Sequence, residues 1–273
     1  MKQAQSLYLD GEYENAYNQF KEAGDLYFAN EKYAEYVDSH LKMIDCQIHA
    51  GNPFHAKSLS ENTLTFLSLE LPEEKTLKAR SLTFLGLSYL NLGRNDEALE
   101  TLLEAEQLFS KEDTEAKANC LDALGLVYTN NENKQLASQY HEQAFVIRRK
   151  LFGPQSIEVA NSYNNLGRVF LKSDPLQAMI YFNRAKGIYE EKLGNSSRRS
   201  LRANLNIAFA NMEQENYDEA LERLNEVKLI YDATYEEDHP NKAYIQSIIG
   251  RVNLEKDEFE KALLNQKEAL QMY

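Results

Sequence analysis

The chain has 273 residues, 43% of them hydrophobic, which is enough apolar material to bury a core but long for a single compact one. Eleven Gly and five Pro are too few for the many tight turns of an all-β fold, and a net charge of −13 argues against a nucleic-acid partner. There is no apolar run of membrane-spanning length and no signal-peptide core, so a cytoplasmic protein is expected, with Cys46 and Cys120 as reduced core thiols.

Small residues recur at a fixed internal spacing along the whole chain. The first unit, 1-28, carries Ala4 and Ala16 on either side of "LDGEYENA". The second, 29-71, carries Ile44 and Ala56 around "HAGNPFHA" and departs most from the pattern. The third, 72-111, has Gly86 and Ala98 around "NLGRNDEA"; the fourth, 112-152, has Gly125 and Ala137. The fifth, 153-194, has Gly167 and Ala178 around "LKSDPLQA"; the sixth, 195-236, has Ala208 and Ala220 around "EQENYDEA". The seventh, 237-273, has Gly250 and Ala262. The second landmark therefore repeats at intervals of 39 to 42 residues. Each unit reads as helix, short turn, helix, with small residues where the two backbones approach, because a larger side chain would overpack the crossing. Pro53 and Pro175 mark the start of second helices and Pro72, Pro154 and Pro240 the start of first helices. Asn52 and Asp174 stand in N-cap position.

"LGLSYLNLGRNDEALETLLEA", through Gly86, Tyr89, Gly93, Ala98, Leu102 and Ala105, resembles the tetratricopeptide repeat family. The family's common period is about 34, so these helices are longer, about 18 residues or ~27 Å each. That longer form is similar to the repeats of kinesin light chains and bacterial peptide sensors. "LFGPQSIEVANSYNNLGRVF" and the Asp238, His239, Pro240 lead-in carry the likeness most clearly. The resemblance implies an all-α, right-handed superhelical α-solenoid of about seven helix pairs, one domain over 1-273. It also implies that the first helices line a groove.

Little in the chain suggests catalysis. Cys46, His49 and His55 lack a fourth ligand at a metal-binding spacing, and "HEQAF" lacks the second His of a zinc hydrolase helix. There is no Gly-rich phosphate loop and no nucleophile elbow. No enzyme, cofactor or metal is expected. "IRRK", 147 to 150, reads as a helix terminus whose cations suit the dipole.

Helical geometry places positions −6, −3, +1 and +4 from each first small residue on one stripe. In units three to seven the stripe holds Arg80, Thr83, Asn119, Asp122, Asn161, Asn164, Arg168, Arg202, Phe209, Tyr244 and Arg251 among its members. These 20 positions hold four of the chain's 11 Arg but one of its 43 acidic residues. Arg80, Asn119, Asn161, Asn164, Arg168, Arg202, Phe209, Tyr244 and Arg251 are the candidate ligand-binding residues. Amides offering both donor and acceptor suit a peptide backbone, and Arg suits carboxylates. In the families resembled, groove asparagines contact bound peptide, and Asn161 and Asn164 match those places.

The expected function is a non-catalytic interaction scaffold for an acidic peptide or helix. The alternative is a sensory module of a larger signalling protein such as a peptide-sensing regulator, a histidine kinase or a CHAT-type protease. At the C-terminal end, Phe259, Leu263, Leu264, Leu270 and Met272 give the last helix more apolar positions than one neighbour covers. The chain is therefore expected to be a segment of a longer protein or to form a homo-oligomer through that end.

Overall fold

The computed structural model describes residues 2–9, 11–234 and 240–272. Asp238 and His239 lie outside the described residues. The described residues form fourteen helices and no strand, which fit seven helix pairs. The first helices are α1 (Lys2–Leu9), α3 (Tyr33–His49), α5 (Lys75–Asn91), α7 (Glu115–Asn130), α9 (Ile157–Phe170), α11 (Arg198–Met212) and α13 (Pro240–Glu255). The second helices are α2 (Tyr13–Ala29), α4 (Pro53–Glu70), α6 (Asn95–Leu108), α8 (Lys134–Phe152), α10 (Pro175–Leu193), α12 (Tyr217–Thr234) and α14 (Phe259–Gln271). The helices pack into two compact units, Met1–Ile147 and Arg148–Tyr273.

The crossings sit at the small residues. A methyl added to Gly86 would lie 2.5 Å from Leu102 Cγ, one on Gly125 2.6 Å from His141 Cε1, and one on Gly250 2.8 Å from Gln266 Nε2. On Gly167 it would lie 2.6 Å from Phe182 Cδ1 and closer still to Cε1. Ala16, Ala56, Ala98, Ala137, Ala178 and Ala220 are all fully buried. Side chains from neighbouring helices then fill a string of local cores. In the first unit, Leu82, Leu102, Cys120 and Leu124 form one; in the second, Leu201, Leu224, Ile245 and Val252 form another. Stability in such an array is a sum of local interfaces rather than the property of one core.

The turns inside pairs share one chemistry. At Gly93 (φ 73°) the chain enters the left-handed region, its N–H bonds Leu90 O at 3.0 Å, and Arg94 N–H reaches back to Tyr89 O at 2.9 Å. This paired closure satisfies carbonyls that the helix end leaves open. Glu132, Glu215 and Asp257 make the same closure at φ 57°, 61° and 61°, where a non-glycine residue is strained. Glu31 (φ 58°) repeats it between α2 and α3, so α1 to α4 follow one another through identical tight turns. The fifth pair differs. Asp174 Oδ1 accepts the Gln177 N–H at 3.0 Å, and Pro175 opens α10.

Two expectations about helix starts are corrected. Asn52 stands at the N-cap position of α4 as expected, but its side chain makes no capping bond; its Nδ2 donates instead to Gln47 Oε1 at 3.1 Å. Pro72 and Pro154 precede their helices by three residues, which begin at Lys75 and Ile157. The first helices α7, α9 and α11 are capped by hydroxyls: Thr114, Ser156 and Ser197 each accept a first-turn N–H at 3.2 Å.

Candidate functional site

The first helices of residues 148–273 bring most of the candidate residues together. Asn161, Asn164 and Arg168 occupy successive turns of α9, so they share a face. Asn206 Nδ2 donates to Asn164 Oδ1 at 2.7 Å and ties α11 to α9. Arg202, one turn before Asn206, therefore borders the same face. On the far side of α11, the Arg251 guanidinium of α13 lies over the Phe209 ring, 5.9 Å from its centroid, a cation–π contact. Tyr244 is exposed on α13.

Local sequence explains why this face forms. Leu166, Gly167 and Val169 of α9 and Leu201, Ala208 and Ala210 of α11 are buried. Those contacts fix the helices and leave Asn161, Asn164, Arg168 and Arg202 outside the buried set. Phe209, Leu205 and Met212 are half-buried against the core of α11, α12 and α13, which provides the apolar part of the face.

The electrostatics are unusual for an acidic chain. Arg168, Arg202 and Arg251 form no ion pair among the described residues. Arg168 is exposed to solvent yet flanked by protein; burial, and secondarily the Arg202 charge, lower its pKa from the ordinary arginine value. By contrast Arg80, Arg94 and Arg223 each meet a carboxylate.

The amides are partly committed. Besides the Asn206–Asn164 bond, the Tyr189 hydroxyl of α10 donates to Asn161 Oδ1 at 2.7 Å. Each of these amide oxygens thus uses one of its two lone pairs inside the protein, so the side chains present more donor than acceptor capacity outward. Asn206 was not among the predicted residues. Its signal was there: it stands 42 residues, one period, after Asn164.

Residues 1–147 place the remaining candidates differently. Arg80 pairs with Asp38 at 2.6 Å, again across 42 residues, so its charge is offset within the protein. Asn119 is exposed. Two −3 members of the stripe are not on a solvent face at all. Thr83 is buried, and Asp122 is buried against His141, whose Nδ1 lies 2.6 Å from its Oδ1. The −3 position here packs against a neighbouring helix.

Other polar clusters resolve into packing. His49 stacks on Tyr13 and His55 lies against Tyr17. Among the described residues no three His, Cys, Asp or Glu side chains cluster as a metal site would. Arg148 of "IRRK" is buried and donates to Ser162 Oγ at 2.8 Å, which fastens α8 to α9. Cys46 and Cys120 are free and buried, and burial pushes both thiols up to about 12. No helix among the described residues is long and apolar enough to cross a membrane.

The sequence profile of the tetratricopeptide repeat matches residues 77–145, 118–191 and 199–273. No curated protein matches the sequence. Among solved structures, BtubC (BKLC) from P. vanneervenii is similar at TM-score 0.63 and 20% identity, over 84% of this chain and 93% of that one. A putative kinesin light chain with nearly identical TPR-like repeats from Podosopora anserina is similar at TM-score 0.61 and 20% identity, over 73% and 96%. A Rap protein complexed with Competence and Sporulation Factor is similar at TM-score 0.72 and 13% identity, over 99% and 74%. Identities this low speak for the fold.

Proposed function

Because the chain belongs to the tetratricopeptide repeat family, we propose that it is a non-catalytic protein-interaction scaffold. Its ligand is an acidic peptide or helix held along the first helices of residues 148–273, and the seven-unit division of a single solenoid is part of the same reading. The observation that carries the proposal is the trio Arg168, Arg202 and Arg251, without ion pairs among the described residues on a chain of net charge −13. A chain with an excess of carboxylates gains nothing in stability from keeping three guanidiniums apart from them. It gains electrostatic steering and specificity toward an acidic partner. Phe209 adds an apolar contact beside Arg251.

The likeness to a Rap protein solved with Competence and Sporulation Factor supports a bound partner here. A second reading, a sensory or regulatory module of a larger signalling protein, draws on the same likeness. A kinase, DNA-binding or protease segment in the full reading frame would favour it. Cytoplasmic residence belongs to the proposal as well, supported by the two reduced thiols.

The test uses a labelled glutamate-rich decapeptide and fluorescence anisotropy. The Arg168→Glu/Arg251→Glu variant is expected to bind at least about tenfold more weakly and with less salt sensitivity than the parent. Equal binding by a variant with unchanged circular dichroism overturns the reading.

A further inference from the structure

We infer that Asn161, Asn164 and Arg168, with Arg202 and Asn206, form an oxyanion subsite for the phosphoryl group of a phosphorylated peptide. The inference rests on the proposed function and names the ligand chemistry of the same site.

The argument starts from what each side chain has left to offer. An asparagine carries an acceptor oxygen and a two-proton donor nitrogen. Asn161 Oδ1 is taken by the Tyr189 hydroxyl, and Asn164 Oδ1 by Asn206 Nδ2, both at 2.7 Å. Each oxygen keeps one lone pair, so the α9 row, with two amide NH2 groups and the Arg168 fork, offers donors well in excess of acceptors. A peptide backbone presents donors and acceptors in equal number and would leave part of that donor excess unmatched. An oxyanion presents acceptors only and matches it.

Charge then narrows the class. Asn164 and Asn206 join the middle of the site. Arg168 stands one turn after Asn164, and Arg202 one turn before Asn206, so the two guanidiniums flank the amide bridge. Neither has an ion pair among the described residues, and each charge raises the cost of the other. Among the described residues, Tyr189 from α10 touches this set and Arg251 from α13 lies beside it across Phe209; neither is a carboxylate. One carboxylate would offset one of the two flanking charges. A phosphoryl group carries about −1.5 to −2 near pH 7 with three acceptor oxygens, and arginine binds it through two parallel N–H bonds. Asn206 Oδ1, the acceptor still open, suits a main-chain N–H beside the phosphorylated residue. Phe209 suits an apolar side chain next along the peptide.

The test is calorimetric titration with an alanine-based nonapeptide whose central residue is phosphoserine, followed by leucine. The same peptide with serine or glutamate at the centre is compared, with inorganic phosphate and acetate as free-anion arms. Phosphoserine should bind at least about tenfold more tightly than glutamate at about pH 7.5. The advantage should shrink at about pH 5.5, below the second phosphate ionisation near 6. Arg202→Gln should remove the advantage, with circular dichroism confirming the fold. Equal binding of the glutamate and phosphoserine peptides overturns the subsite and leaves the acidic-peptide reading standing. Inorganic phosphate binding as tightly as the phosphopeptide overturns the peptide assignment. Failure of every peptide overturns this inference together with the reading beneath it.

Discussion

The substitution Gly167→Ala should destabilise the protein, while the same change at Gly187, twenty residues on, should stabilise it. Both glycines lie inside helices, Gly167 in α9 and Gly187 in α10. Helix propensity alone favours alanine at either position by about 1 kcal/mol. What differs is the space. The new Cβ at Gly167 would stand 2.6 Å from Phe182 Cδ1 and 2.9 Å from Cζ, whereas nothing lies within 4 Å at Gly187. Phe182 is fully buried, so its ring cannot swing aside and the helices must separate. Overpacking of this kind costs about 1–3 kcal/mol, and contact with a whole ring edge belongs at the upper end. Subtracting the propensity gain leaves a net loss of about 2 kcal/mol for Gly167→Ala. Urea denaturation followed by circular dichroism measures both variants, read as the shift of the midpoint. Phe182→Leu in the Gly167→Ala background should return part of the loss. A Gly167→Ala variant as stable as the parent would refute the close crossing of α9 and α10.

Two further outcomes follow from local chemistry. Glu132→Gly should raise the unfolding midpoint, by about 0.5–1 kcal/mol in stability, because φ 57° is unfavourable for glutamate and open to glycine. A lower midpoint would mean that this turn is not in the left-handed region. In the folded protein, Cys46 and Cys120 should resist iodoacetamide near pH 8, since burial raises both thiols to about 12 and the thiolate is the nucleophile. Rapid alkylation without denaturant would contradict the buried placement.

The pairing of helices was legible in the sequence because steric demand writes itself locally. A crossing needs a small residue on one helix and a defined partner on the next, and Gly86 with Leu102 or Gly167 with Phe182 meet that demand within one unit. The turn at Glu31 was harder to read, because backbone hydrogen bonds alone hold it and no glycine marks it. The candidate face was legible only in part. Helical periodicity says which residues share a stripe, but not what stands opposite. Thr83 and Asp122 have the right angle yet face a packed neighbour. Arg80 has the right angle and meets Asp38 from the preceding unit. Both the Arg80–Asp38 pair and the Asn164–Asn206 bond link residues 42 apart, so comparing equal positions in successive units would have exposed them. The buried Arg148–Ser162 bond has no such periodic signal.

The most direct measurement is NMR of the arginine Nε–Hε groups during titration with the glutamate-rich decapeptide. Arg168, Arg202 and Arg251 should shift together and saturate at one affinity. Arg80 and Arg94, already paired with Asp38 and Glu97, should stay in place. Shifts confined to Arg80 and Arg94, or no saturable shift at the three unpaired guanidiniums, would contradict a binding face on the first helices of residues 148–273.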